Sequence, residues 1–287
     1  MLLAATDYVR PESLQEALEL LASNSNARPL AGGQSLLNVL KHRAASVDLL
    51  VDISRLEELR SIESAGDGSA TIGAGVTYVE LEQSDALRDS HPVVAEVASV
   101  TVDRQVRNRG TFGGNICFAD PASNFPPLAV ALDATMNITG PSGERTLAAE
   151  EFFTGAHRTA LESGELLRSV TLPALAGAGT GYRSLLIARE SWALARAAAL
   201  VRSNGTIEDI RVVLGCVAGT PVRATAMEDR LRGDHATREA IANAAGTAGE
   251  GLEPPSDTHA SGDYRRDMAC VMAKRAVLQA TGGANGG

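Results

Sequence analysis

The sequence predicts an α+β protein in two parts: residues 1–175 mix helices and strands, and residues 176–287 form a smaller α+β region. Three observations carry that expectation. Short apolar, β-branched runs alternate with helical spacings up to Pro173. The stretch "ALAGAGTG" that follows is the strongest linker signal in the chain. Beyond it come three strand candidates in a row and then three helix candidates.

In "PESLQEALELLAS", Leu14, Ala17, Leu18 and Leu21 share one helical face, and Ser13 with Glu16 fits a capping box. "RPLAGG" reads as a short strand running into glycines, and "SLLNVLKHR" as one or two helical turns. "VDLLVDIS" is a buried strand and "SATIGAGVT" a strand interrupted by glycines. "YVELEQSDAL" and "PVVAEVASV" read as helices. A second glycine-rich segment, "RNRGTFGGN", precedes the short helix "FPPLAVALDA", which has proline at its start. "TMNITG" and "LLRSVTLP" are strands.

Past the linker, "YRSLLIAR", "WALARAAALVRSNG" and "TIEDIRVVLGCVAG" read as strands. Alanine favours helix, yet "RSNGTIEDI" reads as a turn joining a strand pair, which makes the alanine-rich segment a strand. "VRATAMEDRLRG", "TREAIANAAGTAG" and "DYRRDMACVMAKRAVLQA" are helices.

Composition narrows the function. The formal charge of −9 argues against nucleic acid as a partner, because phosphate binding needs a concentrated basic face. Cys117, Cys216 and Cys270 lie far apart, form no CxxC pair, and make no metal set with the five histidines. Free thiols in a reducing, cytoplasmic setting are therefore expected, with no metal or cluster site in this chain. The start "MLLAATDYVRPE" lacks a basic segment and does not read as a signal peptide. No window reaches the roughly 20 apolar residues of a membrane span.

The chemistry points to two glycine pairs. "GAGVTY", from Gly73, lacks the third glycine of a dinucleotide fingerprint and reads as a strand irregularity. "AGGQS" (Ala31, Gly32, Gly33, Gln34, Ser35) and "TFGGN" (Thr111, Phe112, Gly113, Gly114, Asn115) are more informative together. Glycine pairs can present successive backbone N–H groups, and such nests bind anions without a basic patch. Ser35 stands where a helix may begin, adding helix N-terminal donors. The two loops could hold a diphosphate between them; each could equally be an unrelated tight turn.

"AGGQSLLNVLKHR", "VDIS", "TIGAGVTYVELE", "VRNRGTFGGNICFADPASNFPPLAVALDATM", "ELLRSVTLP" and "DYRRDMACVMAKRAV" together resemble the FAD-binding medium subunit of molybdenum hydroxylases, the carbon monoxide, nicotine, caffeine and xanthine dehydrogenases among them. The similarity runs in order from about residue 5 to residue 280. It implies a two-part FAD-binding domain of the vanillyl-alcohol-oxidase (PCMH) type over residues 1–175. A flavoprotein C-terminal domain, a three-stranded antiparallel sheet with helices, then covers residues 176–287. It also implies FAD contacts at Ala31, Gly32, Gly33, Gln34 and Ser35, at Thr111, Phe112, Gly113, Gly114 and Asn115, and at Leu167 through its backbone.

Departures from the family pattern mark further positions. Asn124 stands where many relatives have an acidic residue, and can still bond a hydroxyl without charge. Relatives often place a lysine near the flavin where this chain has "YRSLLIARESW". Arg189, or alternatively Arg183, would take that role and keep a positive charge near the reduced flavin. Trp192 could stack on the flavin, but a packed aromatic at a domain interface is the preferred reading. Of Arg104, Arg107 and Arg109, at least two are expected to be structural or solvated. The pairs Glu57–Glu58 and Glu150–Glu151 read as solvated, and no residues are assigned as catalytic.

The resemblance thus implies an electron-transfer flavoprotein subunit. Its partners would be a large molybdenum-cofactor subunit and a small subunit with two [2Fe–2S] clusters, in a heterotrimer or a dimer of heterotrimers. The "RNRGT" form leans toward N-heterocycle enzymes. The alternatives are a self-contained FAD oxidase or reductase, and a non-enzymatic assembly subunit on a degenerate flavin fold.

Overall fold

The computed structural model describes residues 3–188 and 191–282. The chain begins with a parallel sheet in the order Asp7–Val9, Leu49–Asp52, Ala27–Leu30. Parallel strands need crossover connections, and the helices Leu14–Ser23 and Leu36–Lys41 lie on them. Ser13 caps the first helix, accepting from the Glu16 N–H at 3.2 Å. The Glu16 carboxylate accepts from the Glu12 N–H at 2.7 Å, one residue before the donor a capping box would use.

A five-stranded antiparallel sheet follows, in the order Ile62–Ser64, Ala70–Gly73, Leu166–Leu172, Thr135–Gly140, Gly143–Ala148. The helices Pro92–Val100 and Phe125–Ala131 belong to the same hydrophobic cluster as its inner face. "YVELEQSDAL" forms two helices, Tyr78–Gln83 and Asp85–Ser90, where one was expected. Ser84 is extended and caps the second through the Leu87 N–H, which breaks the run.

The last part is an antiparallel sheet of Gly179–Leu186, Ala193–Ser203 and Ile207–Gly215, with a two-residue fourth strand, Val222–Arg223. The alanine-rich segment is the central strand, as its turn context predicts, and its alternation explains its composition. Ala195, Ala197, Ala199 and Val201 pack with Met272, Ala273 and Ala276 of the helix Gly262–Ala280. Ala198 and Leu200 face the other way, into the cluster that holds Phe125 and Leu128. A strand covered on both faces cannot alternate apolar and polar, and small side chains let both layers come close. Gly181, on the neighbouring strand, shows the same closeness: a Cβ there would stand 2.0 Å from the Ala276 carbonyl oxygen.

The hydrophobic core is continuous across residue 175, since Tyr182, Leu200 and Val213 join the cluster of Ile72, Phe112 and Val170. Trp192 corrects an expectation: it is 64% exposed rather than packed at a domain interface. It precedes Ala193, the first residue of its strand to pair with Leu186, so it sits in the turn outside the covering layers. Arg107 is structural, pairing with Glu82 at 3.4 Å and donating to the Val102 carbonyl.

Gly181→Ala is expected to cost about 1–3 kcal/mol by overpacking the strand against the helix. Urea unfolding measures it, and an unchanged midpoint would show that the two layers have room to spare.

Candidate functional site

The first glycine loop joins the strand Ala27–Leu30 to the helix Leu36–Lys41. Gly33 has φ +71°, a left-handed conformation that glycine adopts without strain. Gly32 answers to a different constraint. A Cβ there would lie 2.0 Å from the Arg109 carbonyl oxygen. The two glycine segments therefore touch backbone to backbone, and only glycine permits it. The Gln34 side chain donates to the Gly32 carbonyl at 3.1 Å, and Asn38 donates to the Gln34 carbonyl at 2.9 Å. These bonds occupy carbonyls of the loop. Among the described residues, no acceptor is found for the N–H groups of Gly33, Gln34 and Ser35.

The second segment differs from expectation. Phe112–Phe118 is a helix with Thr111 as its N-cap, so Gly113 and Gly114 lie in a helical first turn rather than in an open loop. Their N–H groups are already used: Gly113 donates to the Ala74 carbonyl at 2.9 Å and Gly114 to the Thr111 hydroxyl at 3.1 Å. Phe112 donates to the Val76 carbonyl at 2.8 Å, and Tyr78 to the Gly110 carbonyl at 3.0 Å. The "GAGVTY" stretch is thus the frame against which the second segment is stitched. Glycine is disfavoured in helices, but a Cβ on Gly113 would lie 2.4 Å from that of Ala74. Close packing and the threonine cap decide the conformation. Of the two expected N–H nests, only the first keeps free donors.

Between the segments opens a cleft of about 1000 Å³. Ala31, Gly32, Gly33, Gln34 and Ser35 line it from one side, and Thr111, Gly113, Gly114 and Asn115 from the other, with Leu167 at its edge. Ten of the thirteen residues singled out from the sequence therefore meet here. Phe112 does not line the cleft: it is buried, edge-on to Phe125 at 5.0 Å between ring centroids. Nor does Asn124, whose side-chain oxygen accepts from the Tyr182 hydroxyl at 2.8 Å. Arg189 lies outside the described residues, and Arg183 pairs with Glu96 at 3.5 Å, away from the lining.

Sequence reasoning missed Tyr78, Cys117, Phe118, Leu161, Glu165 and Leu166 as cleft residues. Tyr78, Cys117, Phe118, Glu165 and Leu166 sit inside or beside the quoted motifs, which is a signal of position but not of role. Glu165 is fixed by two bonds from Arg145, at 2.7 and 2.6 Å. Burial pushes the Cys117 thiol up to about 12 and makes it an apolar wall rather than a nucleophile. Burial also raises the Tyr78 phenol to about 12, against the opposing effect of a hydrogen bond with Asn115. Behind Gly32, Arg109 and Arg55 border a smaller recess together with Arg10 and Asp52. Burial alone would raise the Asp52 carboxyl, but hydrogen bonds from Ser54, Tyr8 and Arg10 outweigh it and hold the group down at about 2.

A single-walled N–H nest over an apolar cleft fits a bound diphosphate. Residues 4–175 match the family described as the FAD binding domain in molybdopterin dehydrogenase. The chain belongs to this family. As in its motif-based reading, it is an FAD-binding flavoprotein chain of the oxidoreductase class. Residues 166–280 match the CO dehydrogenase flavoprotein C-terminal domain.

Among its relatives is the glyceraldehyde dehydrogenase medium chain of Sulfolobus acidocaldarius, 38% identical over 95% of this chain and 97% of the relative. The carbon monoxide dehydrogenase medium chain of Hydrogenophaga pseudoflava is 39% identical, over 94% and 95%. A crystal structure of quinoline 2-oxidoreductase from Pseudomonas putida 86 superposes with TM-score 0.94 at 35% identity, covering 99% of both chains. The corresponding structure of carbon monoxide dehydrogenase from Hydrogenophaga pseudoflava gives 0.95 at 39% identity, over 98% and 99%. No helix among the described residues of this family member is long and apolar enough to cross a membrane.

The Asp52 shift has a pH consequence. Its folded value of about 2 lies below the ordinary 3.8. The carboxylate therefore contributes stability that is fully present above about pH 5 and is lost as the pH falls through 4 toward 2. Asp52→Asn is expected to flatten that part of the acid-unfolding profile. An identical acid limb in both proteins would show that the Tyr8–Asp52–Arg10 cluster contributes nothing.

Proposed function

We propose that this chain is the FAD-binding subunit of a molybdenum/iron–sulfur hydroxylase complex. In this reading it receives electrons from two [2Fe–2S] clusters in a small partner subunit and delivers them to an external acceptor. Substrate is oxidised in a large molybdopterin-bearing partner subunit, and the assembly is a heterotrimer or a dimer of heterotrimers in the cytoplasm. The observation that carries the reading is the run of free N–H groups at Gly33, Gln34 and Ser35, facing a cleft in a member of an FAD-binding family.

Those three N–H groups would hold the diphosphate, with Arg28 the basic side chain among the residues that line the cleft. Gly32 keeps the loop seated on the second segment. Thr111 and Asn115 line the opposite wall with polar side chains, and Gly113, Gly114 and Leu167 line it too; in this reading the glycines leave room for a close approach and Leu167 contacts the group through its backbone. Asn124 supports the cleft from behind. The chemistry FAD supplies when bound is the exchange of single electrons for electron pairs. This chain binds, orients and encloses it.

The substrate stays open in this reading. The relatives named for glyceraldehyde and carbon monoxide are 38% and 39% identical, the one named for nicotine 29%. Relatives named for the N-heterocycles quinoline and caffeine are 35% and 33% identical, and the N-heterocycle lean rests on the "RNRGT" form.

Purification of the tagged chain from its native host, with metal analysis and a visible spectrum, tests the assembly. Large and small partners with molybdenum, iron and FAD are expected. A lone yellow protein without molybdenum, reduced directly by a small molecule, would favour a self-contained flavoenzyme. Gly33→Val and Gly114→Leu are each expected to raise the Kd for FAD at least about tenfold, or ~1.4 kcal/mol. Stoichiometric FAD in both variants would remove the diphosphate assignment.

A further inference from the structure

Arg196 is a buried charge with no counter-ion among the described residues. It sits on the central strand of the C-terminal sheet and is 2% exposed. Among the described residues its Nε has no hydrogen-bond partner. Its guanidinium donates to the Ala122 carbonyl at 2.9 Å and lies 5.9 Å from the centroid of the Tyr182 ring. A guanidinium is charged at any working pH, and burying one against a single carbonyl and an aromatic face is costly. The fold keeps it at a particular place: the turn 120–124.

That turn is gripped three times from the C-terminal part; one grip is the Cys216 N–H, which donates to the Pro121 carbonyl at 3.0 Å. Arg196 holds Ala122, and the Tyr182 hydroxyl donates to the Asn124 side-chain oxygen at 2.8 Å. On its other side the turn meets the cleft. The Phe125 N–H, next in the chain, donates to the Asn115 side-chain oxygen at 3.2 Å. That bond fixes which way the Asn115 amide points. Its oxygen faces the Phe125 backbone, so its NH₂ group is turned the other way, where one N–H is shared with the Tyr78 phenol and the other is left for the cleft. Asn115 lines the cleft.

We propose that Tyr182 and Arg196 are positioning residues that set the Asn115 amide through the 120–125 turn, so that the C-terminal sheet controls how the cleft grips its flavin. The proposal rests on the FAD reading above. It assigns the C-terminal part a role in the cleft to which it contributes no lining residue among those described. The device is selective: it aims a donor at the bound group and leaves the diphosphate nest of the first loop untouched.

The test uses the full chain as wild type, Tyr182→Phe, Arg196→Met and Arg196→Lys. The Kd for FAD, the visible circular dichroism of the bound flavin, and the melting midpoint without FAD are measured for each. Tyr182→Phe removes one hydroxyl and keeps the ring, so it reports even where Arg196→Met unfolds. Both are expected to raise the Kd about fivefold and to alter the flavin dichroism, the scale of one lost hydrogen bond. Arg196→Lys keeps a charge but loses the planar fork over the Tyr182 ring, and should fall between wild type and Arg196→Met. If the wild-type chain binds no FAD, the flavin reading falls and this proposal with it. If wild type binds FAD while Tyr182→Phe and Arg196→Met keep its Kd and dichroism, the positioning role is overturned and the flavin reading stands. A loss of affinity that only tracks a lowered melting midpoint, with unchanged dichroism, would reduce both residues to stabilising the fold.

Discussion

The contact between Gly32 and the Arg109 carbonyl is the constraint on which the rest of the site depends. It brings the parallel-sheet region and the five-stranded region together at one backbone crossing, where a single methyl group would not fit. With the crossing closed, the free N–H groups of Gly33, Gln34 and Ser35 stand across from Thr111 and Asn115. Charge plays little part in this arrangement. An acidic chain with a formal charge of −9 can offer a site for an anion because fixed peptide dipoles face it, and a single arginine, Arg28, joins them in the lining.

Small residues do comparable work elsewhere. The alanine-rich central strand and Gly181 let a long helix lie against the C-terminal sheet, while the opposite face of the same strand closes the core around Phe125. The two parts of the chain thus share packing, and the hydrogen bonds of Tyr182 and Arg196 run through the shared zone. The flavin cleft and the C-terminal sheet are mechanically continuous even though their lining residues are separate.

Much of this was legible in the sequence, and the misses have specific causes. The glycine pairs located the cleft, and the turn "RSNGTIEDI" overrode alanine's helix propensity correctly. The open-loop reading of "TFGGN" was wrong because the deciding partners, Ala74 and Val76, lie some forty residues upstream. Local composition does not encode a tertiary hydrogen bond to Ala74. The strand Gly143–Ala148 went unread because "GERTLA" offers little alternation: it sits at a sheet edge with a largely exposed surface. Trp192 was misplaced by its size: a large aromatic reads as core, and only the strand register shows that it falls in a turn. Asn124 and Phe112 were named from motif position, which marks a neighbourhood without saying which way a side chain points.

The order of strands in the five-stranded sheet carries a consequence for synthesis. Leu166–Leu172 is its middle strand, yet it is the last of the five in the chain. While the ribosome is still making residues before it, Ala70–Gly73 and Thr135–Gly140 have no shared neighbour, and the helices over them have only half a floor. Such late, long-range closure is entropically slow. The same strand carries Leu166 and Leu167 at the edge of the cleft. The nascent protein therefore has no complete cofactor cleft until the region before the linker has emerged, and flavin capture belongs to the end of folding rather than to its start.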